Sequence, residues 1–325
     1  MRVLVVKMSS LGDIIHTLPA LTDAAKAIPG IRFDWVVEEA FAEIPAWHPA
    51  VDQVIPVALR RWRKRPLRDF RGPEWRRARE ALRRPDYYDA VVDAQGLVKS
   101  AFITRLVRAP RFGMDRRTAR EPLASSVYQH KIEVPRDMHA VERTRLLFAR
   151  SLGYELPAGK GDYGIRAHLL PGAVGDAAAA GDQPPRLLFF HGTARAEKLW
   201  PEDRWVELAE LAAVAGYRIW LPWGSDEERQ RAARIAARAL NTEVLPRLDL
   251  QALAGTLIEA RGAVAVDTGL GHLAAALDVP TVSLYGPTST NLIGAYGRNQ
   301  AYVESPVGVE DTDDPLAMMN SITAT

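Results

Sequence analysis

Hydrophobic residues come along this chain in short continuous runs, each followed by a turn and then an amphipathic stretch. The first run is Arg2-Val3-Leu4-Val5-Val6-Lys7, apolar at successive positions, as expected for a strand covered on both faces. Met8-Ser9-Ser10-Leu11-Gly12 is a small-residue turn. Asp13 then opens an amphipathic helix carrying Ile14, Ile15, Leu18, Leu21, Ala24 and Ala25. Further strands are expected at 31–37, 51–57 and 88–93, and helices at 99–107 and 138–152. From 155 to 185 the pattern breaks, with ten glycines and prolines around an Ala run. It then resumes with strands at 186–191, 218–221, 262–266 and 280–284. Helices are expected at 202–215, 226–240 and 249–259, just after Gly269, and near 313–322.

Strand–helix alternation of this kind builds parallel, doubly wound sheets. A chain of 325 residues exceeds what one core ordinarily holds. The expected fold is therefore α/β, two tandem Rossmann-like domains at 1–165 and 186–310. A linker at 166–185 would join them, and a tail or helix at 311–325 would follow. Open α/β sheets bind ligands at the carboxyl ends of their strands, so a shared ligand is expected in a cleft between the domains.

Composition narrows the chemistry. The chain contains no cysteine, which excludes a disulfide scaffold, thiolate zinc, an iron–sulfur cluster and a cysteine nucleophile. It has no apolar run long enough to span a bilayer, and its start turns polar too soon for a signal peptide, so the expected location is the cytoplasm. Net charge is only +2, but residues 60–84 hold 12 basic and 3 acidic side chains. That local excess points to an anionic partner. Arg60-Arg61-Trp62-Arg63-Lys64-Arg65 is its densest part. A solvated helix face is the plain alternative. Nucleic acid is disfavoured, because no base-stacking motif surrounds the cluster. Trp47, Trp62 and Trp75 are expected to pack in the core or at its rim.

Three turns carry candidate chemistry. Asp13 is either a helix N-cap or a carboxylate held at the sheet edge; the surrounding motif lacks the dinucleotide glycine signature. His191-Gly192-Thr193-Ala194-Arg195-Ala196-Glu197-Lys198 places a hydroxyl and an ammonium after a strand, suited to a phosphate. The alternative is a solvated loop with Lys198 paired to Glu197 or Glu202. Asp267-Thr268-Gly269-Leu270-Gly271-His272 joins a buried strand to a helix start, where free N–H groups and the Thr268 hydroxyl suit a diphosphate. There the plain alternative is a turn with Asp267 as N-cap. Glu228, in the acidic stretch after Leu221-Pro222-Trp223-Gly224, suits a ribose diol or simply the helix dipole. Asp311-Thr312-Asp313 is expected to be helix-start chemistry rather than a metal site, and the histidines show no metal-ligand spacing.

Five segments in order, KMSSLGDIIHTLPALTD, EKLWP, LPWG, VDTGLGHLAAAL and LYGPT, resemble the bacterial lipopolysaccharide heptosyltransferases of glycosyltransferase family 9. The match is to the branch that adds the first heptose of the inner core, and it runs from Met1 to about Tyr302. The resemblance implies the GT-B fold, with the acceptor held by the first domain and the nucleotide sugar by the second. It implies transfer of L-glycero-D-manno-heptose from ADP-heptose to the first Kdo of Kdo2-lipid A, with inversion and no metal or other cofactor. Asp13 falls on the catalytic carboxylate. Thr193, Lys198, Asp267, Thr268, Gly269 and His272 fall on contacts to the donor's phosphates and sugar, and Glu228 falls on its ribose. Arg60, Arg61, Arg63, Lys64, Arg120 and Arg143 fall on basic acceptor positions, whereas Ala194 stands where relatives often carry a hydroxyl. Peripheral association with the cytoplasmic face of the inner membrane follows from such an acceptor. The rival expectations are a relative that uses the same donor on a heptose acceptor, and a non-catalytic module binding nucleotide or anionic lipid.

Overall fold

The computed structural model describes residues 1–69, 71–84, 86–169, 184–308, 312 and 314–324. They form two compact units, Met1–His168 and Leu169–Thr325. In the first unit lie β1 (Arg2–Val6), β2 (Arg32–Glu38), β3 (Val51–Val57), β4 (Ala90–Asp93), β5 (Arg111–Met114) and β6 (His130–Ile132). In the second lie β7 (Arg186–Phe190), β8 (Arg218–Leu221), β9 (Thr242–Val244), β10 (Gly262–Val266), β11 (Thr281–Tyr285) and β12 (Gln300–Glu304). The sheets run β3-β2-β1-β4-β5-β6 and β12-β11-β10-β7-β8-β9, and their pairings are parallel. Counted within each unit, both follow the doubly wound order 3-2-1-4-5-6.

That order has a functional consequence. The direction of winding reverses between β1 and β4 in one unit and between β7 and β10 in the other. At these points the loops leaving the carboxyl ends diverge and leave a crevice. Val6 lies opposite Asp93, and Ala265 opposite Phe190. The candidate loops after β1, β7 and β10 therefore emerge at the switch points.

The cores confirm the apolar runs. Val3, Leu4, Val5 and Val6 are fully buried, and Trp62 meets Trp75 edge-on with ring centroids 5.7 Å apart. Trp47 is buried as well. Strands β5, β6, β9 and β12 were not expected. They are three to five residues long, and three of them lie at sheet margins where no second apolar face is demanded. The first amphipathic stretch is two helices, Leu11–Ile15 and Leu18–Ala27. The linker expectation at 166–185 lies mostly outside the described residues. Up to His168, the Pro- and Gly-rich stretch belongs to the first unit.

What ties that stretch down is Arg145, on the helix Ala140–Leu152 and only 1% exposed. Its Nε donates to Asp23 at 2.6 Å, and its Nη atoms donate to Glu142 and to the carbonyls of Gly159 and Pro157. A Cβ on Gly161 would lie 2.8 Å from the Arg145 Nε, so only glycine lets the backbone pass this close.

Each unit also buries a neutral histidine. Burial holds His48 down to about 4, while its Nε2 sits 2.9 Å from the Thr22 hydroxyl and its Nδ1 accepts from the Ala50 amide. Burial, helped by Arg231, holds His191 down to about 4. In the unfolded chain both titrate near 6.5. Between these values the unfolded state binds protons that the folded state does not, so stability is intact above that window and falls as pH drops through it. Urea unfolding midpoints are expected to decline between about pH 6.5 and 4, each histidine removing on the order of 3 kcal/mol across the window. A midpoint flat from pH 7 to 5 contradicts this.

Candidate functional site

In the first unit the site is assembled at the ends of β1 and β4. Ser10, not Asp13, is the N-cap of the helix Leu11–Ile15, and Asp13 occupies its third position. The Ser10 amide and hydroxyl both donate to Asp13 Oδ2 at 3.0 Å. Lys7 Nζ lies 3.5 Å from Asp13 Oδ1, and Arg120 Nη1 lies 3.8 Å from Oδ2. Burial alone would raise the Asp13 pKa. Lys7 above all, with the Ser10 amide, His16 and Arg120, outweighs it and holds the carboxyl well below the usual range. The carboxylate is still 29% exposed, so it is both ionised and reachable.

The loop beneath it is braced from β4. Gln95 Oε1 accepts from the amides of Met8 and Ser9, and its Nε2 donates to the Ser9 carbonyl at 2.7 Å. Asp93, fully buried, accepts from the amides of Gln95 and Gly96 and from the Tyr128 hydroxyl. Lys7 Nζ donates to the Ala94 carbonyl. None of Lys7, Asp93, Gln95 and Tyr128 was picked out from the sequence. The available signal was Asp-Ala-Gln-Gly at a strand end, a turn that matters only once β4 is known to lie beside β1.

The basic candidates separate into three kinds. Arg61 pairs with Glu39 and Glu74, whose carboxylates raise its pKa; the two acids come from other elements, so the pairing is not legible locally. Arg60, Arg63 and Lys64 are exposed and carry no ion pair among the described residues. Arg120 reaches Asp13, while Arg143 is partly buried and donates to the Thr118 carbonyl at 2.9 Å. Arg136 donates to the neighbouring Ala119 carbonyl, so three guanidinium groups gather on the segment 118–120.

In the second unit the loops after β7 and β10 meet. Lys198 Nζ donates to Asp267 Oδ2 at 2.5 Å, with both side chains largely buried. Neither Glu197 nor Glu202 takes it: Glu197 pairs with Arg195, and Glu202 with Arg231 and Arg234. Thr193 Oγ1 donates to the Asp267 carbonyl at 3.0 Å. Thr268, rather than Asp267, is the N-cap of the helix Gly269–Ala276, and its hydroxyl makes no cap bond. The helix start thus keeps donors for an anion. His272 is buried one turn in.

Glu228 joins this cluster from the helix Asp226–Ala236. Its Oε2 accepts from the amides of Gly224 and Ser225. Its Oε1 occupies the space beside Gly192 that a Cβ there would need. Among the described residues no group of three or more His, Asp or Glu side chains is placed to hold a metal ion. Asp311 and Asp313 lie outside the described residues.

The chain thus consists of two doubly wound α/β units, one with a guarded carboxylate at its switch point and the other with backbone donors at a helix start. The profile of glycosyltransferase family 9 (heptosyltransferase) matches residues 75–314. A Pseudomonas aeruginosa protein named lipopolysaccharide heptosyltransferase 1 is 58% identical over 94% of this chain and 84% of its own length. The structure of Escherichia coli heptosyltransferase WaaC with ADP superposes with a TM-score of 0.90 at 51% identity, covering 100% of this chain and 97% of that one. The same enzyme with ADP-2-deoxy-2-fluoro heptose gives a TM-score of 0.87 at 50% identity, covering 100% and 96%. The chain belongs to glycosyltransferase family 9, the heptosyltransferases, and has the GT-B type of fold.

Proposed function

We propose that the chain transfers L-glycero-D-manno-heptose from ADP-heptose to the first Kdo of Kdo2-lipid A. The likeness over the whole chain to a heptosyltransferase solved with an ADP-heptose analogue is what carries the donor. The bond from the heptose anomeric carbon to the diphosphate breaks as the Kdo oxygen attacks from the opposite side, giving inversion. The Kdo proton passes to Asp13, a step worth about 10²–10⁴-fold when the base is positioned. Thr193, Lys198, Thr268 and the amides from Gly269 receive the negative charge growing on ADP, with Asp267 and His272 at the heptose and Glu228 at the ribose. Arg60, Arg63, Lys64, Arg120 and Arg143 take the acceptor's anions, and Arg61 shapes that surface through its two acids. These steps use side chains and backbone alone. No described helix is long and apolar enough to cross a membrane, and the reading places the protein in the cytoplasm, peripheral to the inner membrane.

The direct test is release of ADP from ADP-heptose with Kdo2-lipid A as acceptor, set beside a heptosylated acceptor. Turnover only with the heptosylated one would move the chain to the rival specificity, and ADP release with neither would leave a binding module. Lys198→Ala is expected to weaken ADP binding by about 10-fold or more, since a charged hydrogen bond to phosphate is worth roughly 1.5–3 kcal/mol. Calorimetric titration checks this. Unchanged affinity and unchanged rate would leave the Lys198–Asp267 pair as a structural brace.

A further inference from the structure

Large apolar side chains are seldom exposed in the first unit. Among its described residues they are Met1, Val98, Phe102 and Leu123, and the last two are 55% and 73% exposed. Three of these four belong to one place. Val98 and Phe102 stand one turn apart on the helix Val98–Thr104, and Leu123 lies on the 3-10 turn Pro122–Val127. The two segments pack together through Ala101, Ala124, Val127 and Tyr128, and Glu121 accepts from the Val98 amide at 2.6 Å. Their inward sides are therefore satisfied, and the three larger side chains are left to solvent. Clustered apolar exposure of this kind marks a surface that meets something.

Charge says what it meets. Residues 95–123 hold seven Lys and Arg against two acids. Arg105, the C-cap of that helix, is exposed, and Arg120 stands three residues before Leu123 while reaching Asp13. Apolar side chains rimmed by cations match an anionic lipid surface. A second copy of the chain would set this cationic rim against itself across a two-fold axis.

We propose that Val98, Phe102 and Leu123 insert into an anionic bilayer, with Lys99 and Arg105 on its headgroups. The acceptor then reaches Asp13 while still anchored in the membrane. This rests on the reading of the acceptor as a bilayer-anchored lipid. It assigns the apolar contact to a surface other than the segment 60–65.

The test is cosedimentation of the full chain with vesicles of phosphatidylglycerol and phosphatidylethanolamine. The wild-type chain and the triple variant Val98→Ser, Phe102→Ser, Leu123→Ser are compared. The variant is expected to lose about 10-fold or more in partitioning. Its ADP affinity and its turnover on an acyl-free Kdo disaccharide should stay at the wild-type level, while turnover on vesicle-embedded acceptor falls. Undiminished partitioning of the variant, or failure of the wild-type chain to bind these vesicles, overturns the proposal. So does a variant whose change is from dimer to monomer, read by analytical ultracentrifugation. Absence of turnover on the acyl-free acceptor by the wild-type chain would instead count against the sugar-transfer reading, leaving the vesicle result to judge the surface.

Discussion

Replacing Asp13 with Ala is expected to lower kcat at least about 100-fold while ADP binding stays close to wild type. The donor contacts proposed above lie on the second unit, whereas Asp13 is held at the end of β1 by Ser10, Lys7 and Arg120. The same substitution removes a capping interaction, typically worth about 1 kcal/mol, so stability should fall slightly while rate falls greatly. That split separates base from cap. A variant that loses stability but turns over near the wild-type rate would return Asp13 to a structural part. The depressed pKa adds a second readout. Because the folded carboxyl lies below its unfolded value of about 3.9, its stabilisation is complete above that value and disappears as pH falls through the folded one. Acid loss from Asp13 therefore begins only below about pH 4, after the two histidines have already titrated.

Arg145→Met should destabilise the first unit by roughly 3–5 kcal/mol, because it leaves the Asp23 carboxylate buried without its partner. For a unit of this size that corresponds to a fall in Tm of about 6–20 °C. The carbonyls of Pro157 and Gly159 also lose their donor, so the stretch around 155–161 should become the first point of proteolytic cleavage. Calorimetry of the single variant, set beside Asp23→Asn with Arg145→Met, checks the mechanism. The double variant should recover part of the loss, since the charge left unpaired is gone. A single variant within about 1 kcal/mol of wild type would mean that water reaches Asp23 and solvates it.

Much of the molecule was legible in the sequence because burial on both faces leaves unbroken apolar runs. Strands β1, β2, β7 and β10 and the helices between them could be recognised that way, as could the doubly wound class. Their turns could be located too, so Asp13, Thr193, Lys198, Asp267 and Thr268 were found where strands end. Strand β12 was invisible, because four of its five residues are exposed and no apolar period survives.

Pairings between distant residues could not be read. The sequence located Asp13 at a turn, but only the fold shows that Ser10 caps that helix and that Lys7, Gln95 and Arg120 surround the carboxylate. The sequence offered Lys198 two neighbouring acids, and the fold pairs it instead with Asp267, 69 residues away. It showed Arg61 only as one cation in a run, and the fold pairs it with Glu39 and Glu74. The physical reason is common to all three. Hydrophobic period is a local property, imposed residue by residue by the element and its burial. An electrostatic partner is chosen by distance in space, and strand order decides which loops come together. The chain by itself determined its longer buried elements, its class and the turns that hold the candidate residues, and tertiary structure decided which charged groups pair with which.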